Sequence, residues 1–293
     1  MRSNRSLIGM PVYLFGLFAC CGMAAAGGAK PVAMVTDLQG KATLATDAKT
    51  ASLSILSELK QGARVQLGAG ARATVVYLDS GQEYQMAGPA EVQFGADSPQ
   101  SIRGAAPRKH GVAFSRSHEA IRINPVQVTQ GAIVMRRMPN PGQKLKLLSL
   151  SDTTTLELRP LFQWQPPQPG LHYQIALLDD TGNPLLDTTT DSSTVQLPES
   201  VKLQPGIGYT WVVSAKDATG KSYSNAGDFS LALVELRAQV KRLRPAADAP
   251  VSERVVFATW LEQMHLRDEA RKYWKGIAAD RQSDARLKVL AGE

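Results

Sequence analysis

The residues that come closest to a catalytic arrangement in this sequence are two adjacent carboxylates, Asp179 and Asp180. The Thr-Gly-Asn-Pro run that follows them has the composition of a hairpin turn, so we interpret the pair as turn residues. The sequence contains no GxSxG, HExxH, phosphate-loop or GxGxxG motif. We therefore predict no catalytic residue, no cofactor and a protein that is not an enzyme.

Histidine and cysteine are the other residues that would bind a metal ion or act as nucleophiles. His110 and His118 lie eight positions apart in a stretch rich in Ser, Pro and Gly, which is not the spacing of a metal motif. Both cysteines, Cys20 and Cys21, lie close to the N-terminus. We predict no metal site.

Positive charge is concentrated between residues 101 and 146, which contain nine Lys or Arg and one Glu. This segment is either a solvated basic loop or a dock for an acidic protein partner or an anionic envelope polymer. Nucleic acid is not expected, because the interleaved aromatic residues of a base-stacking surface are missing. The candidate contact residues are Arg103, Arg108, Lys109, Arg116, Arg136 and Arg137.

The N-terminus has the layout of a secretory signal peptide. Arg2 and Arg5 precede an apolar run over Leu7–Ala19, and small residues follow at Ala24–Ala26. We predict a signal over residues 1–26 and a periplasmic mature chain without a transmembrane span. A membrane anchor and a lipoprotein signal ending at Cys20 are the alternatives. Removal of the signal leaves no cysteine, so neither a disulfide nor a thiol nucleophile is expected.

Short β-prone runs separated by turn residues recur between Gly62 and Phe94 and predict a β module over residues 30–138, with an exposed basic loop at 97–120. Four motifs carry a family resemblance: Leu59-x-x-Gly62-Ala-Arg-Val, Gly70-Ala-Arg-Ala-Thr-Val75, Leu78-Asp-Ser-Gly81 and Met86-x-Gly-Pro-Ala-Glu-Val92. This stretch resembles the FecR-type periplasmic domain. The resemblance implies a module that senses or docks partners in the bacterial periplasm.

About seven short strands can be drawn over residues 145–231, with turn clusters between them, and this spacing indicates a β-sandwich. Pro160-x-Phe-x-Trp164, His172-Tyr-Gln-Ile and Tyr209-x-Trp-x-Val213 resemble the fibronectin type III family. The resemblance implies that Trp164 belongs to the core and that the Tyr209 hydroxyl bonds to nearby backbone in a tyrosine corner.

Residues 232–293 change to helical spacing, and Ser252 is predicted to cap the second of three helices. Ala258-x-x-Leu261 and Ala270-x-x-x-Trp274 resemble one tetratricopeptide-type hairpin. One repeat cannot bury a continuous core. The hairpin therefore packs on a β module or offers its face to a partner, with Trp260 and Trp274 as candidate contacts.

The predicted architecture is mainly β: a FecR-like N-terminal domain, a fibronectin type III-like sandwich and a short helical tail. We predict a non-enzymatic periplasmic binding or scaffolding protein of the bacterial cell envelope, with an accessory role in envelope signalling as one version. The alternative is an accessory enzyme that modifies polysaccharide or peptidoglycan, which would require two carboxylates facing a cleft.

Overall fold

The computed structural model describes residues 30–46, 49–112 and 143–292, and over these residues the chain is mainly β. The predicted signal at 1–26 with Cys20, and the candidate contacts Arg116, Arg136 and Arg137, lie outside the described residues. We call residues 30–112 the first β module, residues 143–231 the second β module, and the helices after them the C-terminal helices.

The first β module contains ten strands: β1 (Pro31–Gln39), β2 (Ala42–Thr46), β3 (Lys49–Ser52), β4 (Glu58–Lys60), β5 (Arg64–Leu67), β6 (Arg72–Tyr77), β7 (Gln82–Ala87), β8 (Ala90–Phe94), β9 (Pro99–Gly104) and β10 (Arg108–Val112). They form two antiparallel sheets of five strands. The first sheet has the order β10-β7-β6-β1-β4, and the second has the order β3-β2-β5-β8-β9.

The two sheets of the first module share one apolar core, which strand alternation produces. On β6, Ala73, Val75 and Tyr77 point into this core, while Arg72 and Thr74 point to the outer face of the first sheet. Val92 and Phe94 of β8 fill the core from the second sheet. The β-rich stretch that the sequence indicates between Gly62 and Phe94 is therefore confirmed as strands.

The segment predicted as an exposed loop at 97–120 is exposed over most of its described part, but the prediction that it is a loop is wrong for two stretches. Residues 99–104 and 108–112 form β9 and β10, each of which is the last strand of its sheet among the described residues. β9 is exposed from Gln100 to Gly104, so neither of its faces is buried. It therefore lacks the alternation of apolar and polar residues by which a strand is predicted from sequence.

The second β module contains nine strands: β11 (Gln143–Lys144), β12 (Lys146–Leu147), β13 (Thr153–Thr155), β14 (Leu161–Gln165), β15 (Tyr173–Leu178), β16 (Pro184–Thr190), β17 (Thr194–Gln196), β18 (Gly208–Lys216) and β19 (Ser222–Leu231). One sheet has the order β11-β19-β18-β15-β16, with β13 also paired to β19, and a smaller sheet has the order β12-β14-β17. Phe162 and Trp164 from the smaller sheet and Trp211 from the larger one belong to a single buried core.

Four C-terminal helices follow: α1 (Val234–Leu243), α2 (Val251–Gln263), α3 (Arg267–Asp280) and α4 (Ala285–Ala291). The prediction that Ser252 caps α2 is wrong, because α2 begins at Val251 and its N-cap is Pro250. Three helices were predicted from the sequence, and α4 is an additional one. Its N-cap is Asp284, whose side chain accepts a hydrogen bond from the Arg286 amide.

The C-terminal helices pack on the outer face of the first sheet. Met34 of β1 and Val76 of β6 lie in the same buried cluster as the helices, together with Ile55 and Leu78. Asp284 also accepts a 3.0 Å hydrogen bond from the Ile55 amide. The helices therefore cover one part of this sheet face and leave the part around Arg72 open.

The same helices also bind the second β module. The Asp268 side chain accepts a 2.7 Å hydrogen bond from the Leu150 amide, and the Thr154 amide donates a 2.7 Å bond to the carbonyl oxygen of His265. Arg267 forms an ion pair with Asp152. The C-terminal helices thus contact both β modules, through residues such as Leu150 and Asp268 that are 118 positions apart in the chain.

Candidate functional site

The candidate cations that the structure describes lie on β9 and β10, which are consecutive in the chain but belong to different sheets. Arg108 and Lys109 are on β10, where they pair with Gln85 and Tyr84 of β7. Arg103 is on β9 of the second sheet, opposite Glu91. The segment between them crosses from one sheet to the other, so the structure places Arg108 and Arg103 on separate sheets.

Arg108 belongs to a groove of about 480 Å³ on the open part of the first sheet's outer face. We call it the basic groove. Its polar lining residues come from four adjacent strands, and alanines form part of its floor and rim. The lining residues are Asp37, Gln39, Arg72, Ala73, Thr74, Gln85, Met86, Ala87, Ala105, Ala106 and Arg108.

Strand register arranges the polar residues of the basic groove in two rows. The first row runs from Asp37 on β1 through Thr74 and Gln85 to Arg108 on β10. The second row contains Gln39, Arg72 and Ala87. Neighbouring strands are about 4.8 Å apart, so each row presents its side chains side by side across the sheet.

Two glycines allow the chain to cross between the sheets beside the groove. A Cβ atom on Gly88 would lie 2.0 Å from the carbonyl oxygen of Gly68, and one on Gly104 would lie 2.4 Å from that of Pro89. Gly104 also has a φ of +86°, a conformation that glycine adopts without steric cost. These close approaches hold Ala87 and Ala105 at the rim of the basic groove.

Arg72 lines the groove, although it was not among the candidate contacts predicted from the sequence. It lies next to the buried Ala71 and Ala73, in an alternation that places a charged side chain on the opposite face from the core. That alternation is visible in the sequence. The sequence does not show, however, that Arg72 and Arg108 line the same groove, because this follows from the β6-β7-β10 pairing.

The charge of the basic groove is positive. Arg72 and Arg108 form no ion pair within the described part of the chain. Among the described lining residues the one carboxylate is Asp37, and Arg281 of the C-terminal helices binds it at 2.7 and 2.8 Å. This bidentate contact raises the pKa of Arg281 above its ordinary value, mainly through the hydrogen bond to Asp37.

A buried carboxylate lies further along the same sheet face, under the helices. Glu83 of β7 is 8% exposed and accepts a 3.1 Å hydrogen bond from the Ser252 hydroxyl of α2. Burial raises the pKa of Glu83, while the Ser252 hydrogen bond and the nearby His110 lower it. Glu83 faces the helices, so it belongs to the contact between the first β module and α2.

The two candidate tryptophans are buried inside the chain. Trp260 is 4% exposed and Trp274 is 1% exposed, and both lie in the cluster that joins the helices to the first sheet. The Trp274 indole also donates a 3.3 Å hydrogen bond to Glu262. Their location makes them core residues of this chain, so neither indole presents a face for a partner.

Asp179 forms a turn, as its sequence context predicts. One of its carboxylate oxygens accepts hydrogen bonds from the amide and hydroxyl of Thr181 and from the amide of Asn183. These bonds, first of all the one from the Thr181 hydroxyl, lower the pKa of Asp179. The turn interpretation is therefore confirmed.

The side chains of the basic groove are suited to bind an anion. A guanidinium presents several donors in a planar fork that matches carboxylate and phosphate oxygens. Thr74, Gln39 and Gln85 add a hydroxyl and two side-chain amides beside the two arginines. Over the described residues, no group of three or more His, Cys, Asp or Glu is arranged to hold a metal ion.

No protein-family model and no curated protein matches this chain. Among the residues that the structure describes, none of the helices has both the length and the apolar character needed to cross a membrane.

Proposed function

We propose that this chain is a non-enzymatic binding or scaffolding protein of the bacterial cell envelope, which docks an acidic segment of a protein partner in the basic groove. The observation that carries this proposal is the pair Arg72 and Arg108. Both line one groove whose own carboxylate is already bound by Arg281. An acidic segment would supply the missing counter-charges, and attraction between opposite charges guides and orients such an encounter.

The other lining residues favour a peptide over a sugar polymer. Gln39, Thr74 and Gln85 can exchange hydrogen bonds with peptide groups. Ala105 and Ala106 are small enough to let a backbone approach closely. No aromatic residue lines the groove within the described part of the chain, so a sugar ring would have no aromatic face to stack on.

The envelope location rests on the N-terminal sequence. Arg2, Arg5 and the small residues Ala24–Ala26 have the layout of a secretory signal. We expect the mature chain to begin near Gly27, which an intact mass of the exported protein measures. A diacylated Cys20 would instead indicate a membrane-anchored lipoprotein.

Two module assignments belong to the same proposal. We assign the first β module to the FecR-like type and the second to the fibronectin type III-like type. The second assignment is supported by the 2.7 Å hydrogen bond from the Gln204 amide to the Tyr209 hydroxyl and by the buried Trp164. Modules of these two types dock or space partners, which fits an accessory role in envelope signalling.

Titration of the full mature chain with fluorescein-labelled poly-L-glutamate tests the proposal by anisotropy. Replacing Arg72 and Arg108 together with Gln is expected to weaken binding about tenfold at low salt, because two charge-assisted contacts are lost. The matched control replaces Lys60 and Arg64 together with Gln, which also removes two positive charges, from exposed positions on β4 and β5 outside the basic groove.

Salt and a second polymer complete the test. Binding is expected to weaken between low and physiological salt, because exposed charges are screened over about 10 Å at 0.1 M. Tighter binding of polygalacturonate than of poly-L-glutamate would identify an anionic polysaccharide as the ligand and contradict the peptide assignment. No binding of poly-L-glutamate, or equal binding by the Arg72/Arg108 variant, would overturn the proposed groove.

A further inference from the structure

The basic groove contains a carboxylate, Asp37, whose negative charge opposes the binding of the proposed acidic ligand. Asp37 stands in the same row as Arg108, and it is the diagonal neighbour of Arg72, two residues along the adjacent strand from Thr74. Diagonal neighbours on a sheet lie about 7–8 Å apart, within reach of a long side chain. A free Asp37 would therefore bind Arg72 itself or repel an incoming anion.

Arg281 prevents both effects from outside the groove. It lies at the C-terminal end of α3, 244 positions after Asp37, and its Nε and Nη2 atoms contact the two carboxylate oxygens at 2.7 and 2.8 Å. The Asp37 side chain is 17% exposed and that of Arg281 is 18% exposed. Because the pair is largely shielded from water, it is screened less than a surface ion pair.

We infer that Arg281 is a positioning residue for the basic groove: by binding Asp37, it makes anion binding depend on the docking of the C-terminal helices onto β1. This inference rests on the proposed function of the groove. It also gives the helices a role beyond packing, since the groove accepts an acidic segment only while α3 holds Asp37. A partner that displaced α3 from β1 would release Asp37 and so expel the bound segment.

Variants that replace a charged side chain with an uncharged one of similar size separate this role from packing. Arg281→Gln leaves Asp37 charged and unpaired, and we expect labelled poly-L-glutamate to bind about fivefold to tenfold more weakly at low salt, as one unit charge at this range predicts. Asp37→Asn removes the carboxylate and frees Arg281, so it is expected to bind at least as tightly as the natural chain. The double variant Asp37→Asn with Arg281→Gln is expected to regain most of the loss.

The matched control is Arg254→Gln. Arg254 forms an ion pair with Asp280 inside the C-terminal helices, and neither residue lines the basic groove. This variant removes the same charge and breaks a comparable helix contact, so we expect its binding to match that of the natural chain. Thermal melts identify the temperature at which every variant is folded for the titration.

The outcomes distinguish the inference from the function on which it rests. If the natural chain binds no poly-L-glutamate, or binds it independently of Arg72 and Arg108, the proposed function fails and the inference fails with it. If binding needs Arg72 and Arg108 but Arg281→Gln binds normally, the inference alone is overturned. A double variant as weak as Arg281→Gln would also overturn it. If Arg281→Gln does not fold, Asp37→Asn decides, because weaker binding by that variant contradicts the inference.

Discussion

The indole Nε1 of Trp211 donates a 2.8 Å hydrogen bond to the carbonyl oxygen of Leu150, 61 positions earlier in the chain. Gly227 lies opposite Trp211 on β19. A Cβ atom at Gly227 would be 2.5 Å from the Leu150 oxygen and 2.6 Å from Nε1, well inside the limit for non-bonded contact. The absence of a side chain at this position is therefore what allows the buried bond to form.

Gly227→Ala is expected to lower the free energy of unfolding by about 2–4 kcal/mol, since the new methyl group must displace a backbone oxygen or break a buried hydrogen bond. Denaturant unfolding measures the loss. Gly208→Ala is the control, because a Cβ at Gly208 meets no atom within 4 Å, and its effect is expected to stay within about 0.5 kcal/mol. Equal effects of the two variants would contradict the steric account.

Tyr209→Phe removes the acceptor of the Gln204 amide and is expected to cost about 0.5–1.5 kcal/mol, or more if that amide stays buried without a partner. The denaturant midpoint measures the loss. Tyr84→Phe is the control, because the Tyr84 ring packs on Tyr77 and its hydroxyl has no hydrogen-bond partner among the described residues. An unchanged midpoint for Tyr209→Phe would argue against a stabilising tyrosine corner.

The buried Glu83 predicts a pH-dependent stability. Because its pKa is raised in the folded state, the folded chain holds this proton to a higher pH than the unfolded chain does. As the pH rises from the ordinary pKa of a glutamate to the raised one, the unfolded chain loses its proton first, so the free energy of unfolding falls. Below that pH window the contribution of Glu83 to the free energy of unfolding is fully retained.

Glu83→Gln removes this decline and is therefore expected to become more stable relative to the natural chain as the pH rises through the window. Denaturant unfolding between about pH 4 and pH 7 measures the difference. The other titratable groups that act on Glu83 among the described residues are His110, Glu253 and Asp37, and all three are kept in both chains. Glu58→Gln, at an exposed site on β4, is the control. A pH-independent difference between Glu83→Gln and the natural chain would contradict this account.

Trp274→Ala is expected to cost about 3–5 kcal/mol, because it opens a cavity in the core shared by the helices and the first sheet. Val289→Ala, at a side chain that is 73% exposed, is the control and is expected to change stability by less than about 0.5 kcal/mol. Thermal and denaturant unfolding measure both variants. A small effect at Trp274 would mean that the helices and the first β module do not unfold as one unit.

The sequence alone predicted the elements whose patterns arise from local physics. Alternation around Val75 and Val92 indicates strands, the helical spacing around Trp260 indicates a helix, and the Thr-Gly-Asn run after Asp179 and Asp180 indicates a turn. In each case the signal lies within a few residues, because a strand face, a helix face or a turn is fixed by side chains that are neighbours in the chain.

Elements with no buried face were not predicted from the sequence. β9 and β10 have polar residues where inner strands have apolar ones, so a loop was the natural prediction for 97–112. Ser252 has the type of a helix cap, yet its hydroxyl binds Glu83, a residue 169 positions earlier. A local pattern carries no information about a partner at such a distance.

Only the tertiary structure decided the composition of the groove and the place of the helices. Arg72 and Arg108 share a groove because β7 lies between β6 and β10, and Asp37 is neutralised by a residue near the other end of the chain. Trp260 and Trp274 are core residues because the first sheet offers Met34 and Val76 as an apolar surface for the helices. These relationships depend on which faces of distant elements pack together. The packing that buries apolar surface over the whole chain is favoured, and a local pattern does not show it.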